Sequence, residues 1–211
     1  PCANLIQLTV VSTMPSGDKA RIAIFASGGG SNADKICAYF ETHPDISVEL
    51  IVSNKAEAGV LKVADRHGIE SVYISKKYWQ HPEIILPVLE TSEITHIVLA
   101  GFLSLIPDWL IKTYKGRIIN IHPALLPNYG GKGMYGHHVH EAVKKSGDLI
   151  SGITIHEVNE HYDEGKVIFR KEVELEVMDT PEEIARKVLQ AEHMYFAQVI
   201  EAWINSQHEH P

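Results

Sequence analysis

An asparagine and a histidine two residues apart, Asn120 and His122, stand at the end of the apolar run "RIINIH". Side chains alternate faces along an extended chain, so residues at i and i+2 point the same way and can converge on one small ligand. Histidine titrates near neutral pH and suits proton transfer, while a carboxamide N–H can stabilise an oxyanion without itself titrating. Pro123 and Pro127 stiffen the loop that follows and would hold the pair in place. The ordinary alternative is a strand-end polar pair with local hydrogen bonds, and a lone histidine after a strand is more often structural than catalytic.

A second constellation is "FASGGGSN", Phe25 to Asn32, between the first strand pattern and the first helix pattern. A helix N-terminus offers unpaired N–H groups and a positive dipole end to an anion, and glycines let the backbone approach it closely. The run is neither the GxGxxG dinucleotide fingerprint nor a GK[ST] triphosphate loop. A single phosphate or a phosphoribose is the ligand it suits, against the plainer reading of a tight turn that needs glycine for positive φ. Asn54 and Lys55 in "SNKAEAG" follow the second strand at the equivalent end and are lesser candidates for the same crevice.

These residues need elements to position them. Short β-branched runs alternate with helical patterns: "RIAIFA", a helix from about Asn32 to His43, "VELIVS", a helix from about Ala56 to His67, then "SVYI". A helix around Ile84 to Thr91, the strand "HIVLAGF", the short segment "PDWLIKTYK" and "RIINIH" continue the pattern, which means βαβ units and a parallel sheet. After a helix at "HHVHEAVKKSG", the runs "ISGITIHEVNE" and "KVIFRKEVEL" suit an antiparallel or mixed extension of the sheet. A last helix begins at a capping Thr180 before Pro181. The expected fold is α/β, a mostly parallel twisted sheet of about seven strands flanked by helices. Residues 1–20 read as an extension outside the core, with Met14 a candidate natural start, residues 21–206 as a single domain, and 207–211 as a tail.

With 211 residues, 45% of them apolar and 22% charged, the chain can bury a sizeable core. A formal net charge of −8 argues against a nucleic-acid surface, so an anionic ligand must be met locally. Two cysteines, Cys2 and Cys37, have no metal-type spacing and make no disulfide framework. No apolar run approaches the ~20 residues that span a bilayer, and the opening stretch lacks a signal-peptide pattern, so a cytoplasmic setting is expected.

"NIHPALLPNYGG" resembles the N-I-H-P-x-L-L-P signature of the folate-dependent formyltransferases, and "HYDEGKVI" resembles their aspartate-bearing D-x-G-x-V-I segment. "ASGGGSN", "VSNKAEAG" and "LAGFLSLI" stand in the family's order, and the likeness runs from Arg21 to Ile204. The resemblance implies a Rossmann-like formyltransferase fold with a phosphate-binding first half and a folate-binding, catalytic second half. It implies transfer of the formyl group of 10-formyltetrahydrofolate, as co-substrate and with no metal, to the amine of glycinamide ribonucleotide in purine (IMP) synthesis. Asn120, His122 and Asp163 are then the catalytic set: Asn120 and a protonated His122 face the oxyanion, and Asp163 orients His122 and relays the amine proton. Without the resemblance, "YDEG" reads as an ordinary turn in which Gly165 supplies the bend.

The resemblance further implies that Gly29, Gly30, Ser31 and Asn32 hold the substrate phosphate and that Glu192 reaches the sugar. For the folate it implies the segment Leu103, Ser104, Leu105 and Ile106, the loop Asn159, Glu160, His161, Tyr162 and Asp163, the side chain of Asn120, and Lys76 or its neighbour Lys77. In two places the chain departs from the family. Ser104 stands where many members have an arginine, and "YGGKGMYGHHVHEAV" is longer and richer in glycine than the usual stretch, which suits a mobile cover carrying Lys132 and Met134. "HHVH", His137 to His140, lacks the glutamate of HExxH and splays its imidazoles around a helix, so no metal site is expected there.

Small-molecule partners are implied, with no nucleic acid and no membrane; monomer and homodimer stay open. Within the family, methionyl-tRNA formyltransferase carries an added C-terminal domain and formyltetrahydrofolate deformylase an added N-terminal one, and neither addition is expected in this chain. A different class, a non-catalytic or redox nucleotide-binding protein using the glycine loop alone, would show no dependence on Asn120, His122 or Asp163.

Overall fold

The computed structural model describes residues 19–208, so most of the expected N-terminal extension, with Cys2 and Met14, and most of the expected tail lie outside the described residues. Among these described residues seven strands form one sheet in the order β3-β2-β1-β4-β5-β6-β7. They are β1 (Ala20–Phe25), β2 (Ile46–Ser53), β3 (Glu70–Tyr73), β4 (His96–Leu99), β5 (Ile118–His122), β6 (Ile150–Glu157) and β7 (Val167–Glu174). The first five run parallel, while β6 and β7 are antiparallel additions, as the change from continuous apolar runs to alternating ones implies. Among the described residues six α-helices accompany them: α1 (Ser31–Phe40), α2 (Gly59–His67), α3 (Pro82–Thr91), α4 (Asp108–Thr113), α5 (His137–Ser146) and α6 (Pro181–His208).

Alternation along the strands feeds two apolar layers, one on each face of the sheet. Ile22 and Ile24 of β1, Ile119 and Ile121 of β5, and Ile153 and Ile155 of β6 pack with α1, α2, α5 and α6. Ala23 and Phe25 of β1 and Ile118 of β5 pack on the other face with Ile85 and Leu89 of α3 and Leu110 of α4. Burying a large apolar side chain on this scale contributes roughly 1.5–3 kcal/mol each, which is what holds the strand ends in register. Among the described residues no helix is long and apolar enough to cross a membrane.

Element ends follow local chemistry. The first helix stops at Phe40 instead of reaching His43, because Pro44 restricts the residue before it and the chain turns with His43 N–H donating to the Phe40 carbonyl. The second starts at Gly59, three residues later than expected, since a turn closed by Ala58 N–H on the Lys55 carbonyl precedes it. At the start of α6, Thr180 N–H donates to Glu183 Oε2 (2.8 Å) and Glu183 N–H to Thr180 Oγ1 (3.3 Å), a reciprocal cap that fixes where the helix begins.

Candidate active site

Strand order places the crevice. Connections from β1 and β4 leave the sheet in opposite directions, and the space outside the carboxyl ends of strands at such a switch point is where ligands bind in open α/β sheets. The glycine loop after β1 reaches across it: Ser27 N–H donates to the Gly101 carbonyl (3.0 Å), and Leu103 N–H donates to Ser27 Oγ (2.8 Å). Gly30 precedes α1 with φ +82°, and a Cβ there would lie 2.8 Å from Val60, so only glycine fits. Among the described residues no side chain caps α1, which leaves its first N–H groups open toward the crevice. Gly29 and Ser31 are exposed at this turn, while Asn32 is half-buried.

Asn32 Nδ2 donates to Glu192 Oε2 at 2.6 Å, which brings together two residues 160 positions apart. Glu192 lies on α6 but is only 8% exposed, so it is not the solvated helix-surface charge that its sequence neighbourhood allows. Burial pushes its carboxyl above the usual range, and the bond from Asn32 offsets part of that. Asn32 Oδ1 and His193 Nε2 are buried without a partner among the described residues, polar groups that a hydroxylated or anionic ligand could engage.

The second half of the site is built on β5 and β6. Ile118, Asn120 and His122 share one face of β5, and the antiparallel register sets Asn120 opposite His156 and His122 opposite Thr154. Asn120 Nδ2 lies 3.2 Å from His156 Nε2, and His156 Nδ1 lies 2.9 Å from the Glu157 carbonyl. A carbonyl only accepts, so Nδ1 carries the hydrogen and Nε2 accepts from the Asn120 amide. This pins the carboxamide and leaves its second N–H for another acceptor.

His122 Nε2 lies 2.7 Å from the Tyr129 carbonyl and therefore carries a hydrogen there, which leaves Nδ1 facing Asp163 Oδ2 at 3.7 Å. Asp163 Oδ1 stands 3.6 Å from His156 Nε2, and Asp163 Oδ2 accepts the Gly131 N–H at 2.9 Å. Burial would raise the Asp163 carboxyl, but the groups around it, with the Gly131 N–H donating to Oδ2, hold it below the usual carboxylate value. For His122 burial wins: it lowers the imidazole below its ordinary value despite the pull of Asp163 and the Tyr129 carbonyl. Burial therefore works against the protonated His122 expected from the sequence, while Asp163 works for it.

The turn at Asp163 differs from expectation. Its left-handed residue is Asp163 itself, φ +57°, a conformation that aspartate tolerates better than most side chains. Gly165 is required for a different reason: a Cβ there would lie 1.6 Å from the Glu157 carbonyl oxygen. Two segments therefore meet without room for a side chain, and the acceptor of His156 is one of them.

Of the remaining expected residues, Ser104 accepts a hydrogen bond from Asn54 Nδ2 at 2.7 Å, which joins the ends of β2 and β4. Leu103 and Leu105 are exposed apolar side chains, Ile106 is buried, and an open cavity of about 500 Å³ adjoins Leu105 and Ile106 with Trp109 and Lys112. Asn159 Oδ1 accepts from His161 N–H (2.9 Å), and Glu160, His161 and Tyr162 are exposed on the same loop as Asp163. Lys55, Lys76, Lys77 and Lys132 are all exposed and Met134 is half-buried. His137 and His138 face Glu141 at the surface while His140 turns inward, and among the described residues no three His, Cys, Asp or Glu side chains form a metal-binding group.

His156 went unseen in the sequence, although "GITIHE" carries a usable signal: Gly152, Thr154 and His156 alternate with Ile153 and Ile155, so one polar face of β6 meets the polar face of β5.

Comparison with known proteins adds to this geometry. A family model described as formyl transferase matches residues 20–200. The chain is 41% identical over 192 residues to a protein of Arabidopsis thaliana named phosphoribosylglycinamide formyltransferase, chloroplastic, covering 87% of this chain and 65% of that one. A protein of Bacillus subtilis named phosphoribosylglycinamide formyltransferase is 36% identical over 185 residues, covering 85% and 92%. The crystal structure of phosphoribosylglycinamide formyltransferase from Anaplasma phagocytophilum superposes with a TM-score of 0.81 at 30% identity, covering 89% of this chain and 88% of that one. The chain spans about two thirds of the length of the plant relative.

Proposed function

Because the chain belongs to the formyl transferase family, we propose that it transfers the formyl group of 10-formyltetrahydrofolate to the amine of glycinamide ribonucleotide, a step of purine synthesis. The observation that carries this reading is the convergence of Asn120, His122 and Asp163 beside an uncapped glycine loop at one end of the sheet. β1 and β5 flank β4, so their ends lie roughly 10 Å apart. That is also roughly the reach from phosphate to free amine in the ribonucleotide.

In this reading the phosphate sits on the N–H groups of Gly29 to Asn32, and Glu192 takes sugar hydroxyls. The folate lies along Leu103 to Ile106 and the Asn159–Asp163 loop. The amine attacks the formyl carbon, and the carbonyl oxygen becomes an oxyanion that accepts the free N–H of Asn120. The attacking nitrogen then loses a proton and the leaving folate nitrogen gains one. Asp163 takes the first, and His122, whose Nε2 is occupied, receives it at Nδ1 and delivers it from the same atom. A proton on Nδ1 makes an imidazolium between the Tyr129 carbonyl and Asp163, which is the state the aspartate favours against burial.

The test supplies purified protein with glycinamide ribonucleotide and 10-formyltetrahydrofolate. Tetrahydrofolate and formylated ribonucleotide should form in equal amounts, and only when both substrates are present. Hydrolysis of the folate at the same rate without the amine would overturn the reading in favour of a deformylase.

A further inference from the structure

Tyr129, Gly130 and Gly131 touch both catalytic side chains through the main chain alone. The Tyr129 carbonyl takes the Nε2–H of His122, and two residues on the Gly131 N–H donates to Asp163. Tyr129 holds φ +56°, unusual for an aromatic residue, and such a conformation persists only where its surroundings impose it. Its side chain is also held. The phenol O–H lies between Ser146 Oγ, at 2.6 Å, and the Asp148 carboxylate. Both groups stand at the end of α5, where Ser146 Oγ donates to the Val143 carbonyl (2.7 Å) and accepts from Asp148 N–H (3.2 Å), so the single phenol hydrogen is shared between them. The ring itself packs against the apolar layer under α5 and α6.

We infer that Tyr129 is a positioning residue: its phenol, held by Ser146 and Asp148, fixes the turn whose carbonyl selects the His122 tautomer and whose Gly131 N–H orients Asp163. The inference rests on the proposed formyl transfer for its kinetic consequences only, because the tautomer can be read without substrate. The groups around His122 are the Tyr129 carbonyl and Asp163, with His156 and His140 close enough to act electrostatically. Of these, the Tyr129 carbonyl alone lies within hydrogen-bond distance of an imidazole nitrogen, so loosening it frees the ring to place its proton on either side.

Tyr129→Phe keeps the ring packing and the carbonyl but removes the phenol O–H. It should lower kcat roughly tenfold while KM for both substrates stays within about twofold, and shift the pH limb of kcat that reports His122. Nitrogen NMR of the imidazole, without substrate, should show the Nε2–H form in the parent protein and a mixture of tautomers in the variant. Asp148→Ala, at an exposed site, should act in the same direction, and the double variant should be no worse than Tyr129→Phe alone. A fall in melting temperature with kcat, pH limb and tautomer all unchanged would overturn the inference, as would an Nδ1–H form in the parent protein. If Tyr129→Phe does not fold, Asp148→Ala decides the question by the same readouts. Absence of formyl transfer by the parent protein would sink the proposed function, and the NMR result would still decide the role of Tyr129.

Discussion

Gly165→Ala should damage the site from a distance. The added methyl carbon would lie 1.6 Å from the Glu157 carbonyl oxygen and 2.7 Å from its carbon, whereas a relaxed C···O contact is about 3.3 Å or more. The two backbones must therefore part by roughly 1.7 Å. Glu157 cannot yield quietly, because its N–H donates to the Lys166 carbonyl (2.9 Å) and its carbonyl holds the Nδ1–H of His156 (2.9 Å). Overpacking of this kind costs about 1–3 kcal/mol, and losing a backbone hydrogen bond about 1 more. For a chain of this size that lowers the melting temperature by about 10 °C. The displaced carbonyl turns the His156 ring, which bonds Asn120 and stands against Asp163, and a misplacement near 1 Å costs on the order of a hundredfold in turnover. Thermal unfolding together with tetrahydrofolate release per folded enzyme measures both. A variant that melts within about 2 °C of the parent and keeps kcat within about threefold would refute the chain of contacts from Gly165 to Asn120.

Other expectations follow from the same geometry. Asp163→Asn can still accept the Gly131 N–H but cannot hold a charge beside His122; kcat should fall about a hundredfold or more while ribonucleotide KM changes little, and full activity would exclude Asp163 from the proton path. Asn32→Ala strands the buried Glu192 carboxyl, so ribonucleotide KM should rise at least about tenfold in steady-state kinetics; an unchanged KM would remove this pair from the substrate site. Stability should also depend on pH through His140, which burial, with help from His137 and His122, lowers to about 4. The unfolded chain protonates this group first, so stability is complete above the ordinary value of 6.5 and falls, by on the order of 3 kcal/mol, as pH drops from there toward 4. The depressed His122 adds in the same direction. Urea midpoints measured across that window should decline in the parent and flatten in His140→Gln; equal slopes would show that His140 is not the titrating group.

Much of the architecture was legible because periodicity survives in short windows. Continuous apolar runs marked the parallel strands and alternating ones marked β6 and β7, and the i, i+2 spacing placed Asn120 and His122 on one face. What the sequence withheld were facts that depend on who sits opposite. His156 lies across from Asn120 only once the antiparallel register is known, and the burial of Glu192 follows from α6 packing against α1, whose Asn32 bonds it. Gly165 showed its identity but not its reason, since close approach of Glu157 leaves no mark on the residues beside it. The balance at His122 between burial, which lowers its imidazole, and a carboxylate 3.7 Å away, which raises it, is likewise something that spacing cannot express.

The clamp formed by residues 129–131 offers one acceptor and one donor, and both belong to the peptide backbone. Side chains beyond it are thus free to drift, which suits a stretch as unlike the common family pattern as "KGMYG". Its length upstream is not free in the same way. Deleting or inserting one residue between His122 and Tyr129 would present an N–H where a carbonyl is needed, so this short interval should tolerate substitution in a mutational library far better than any change of length.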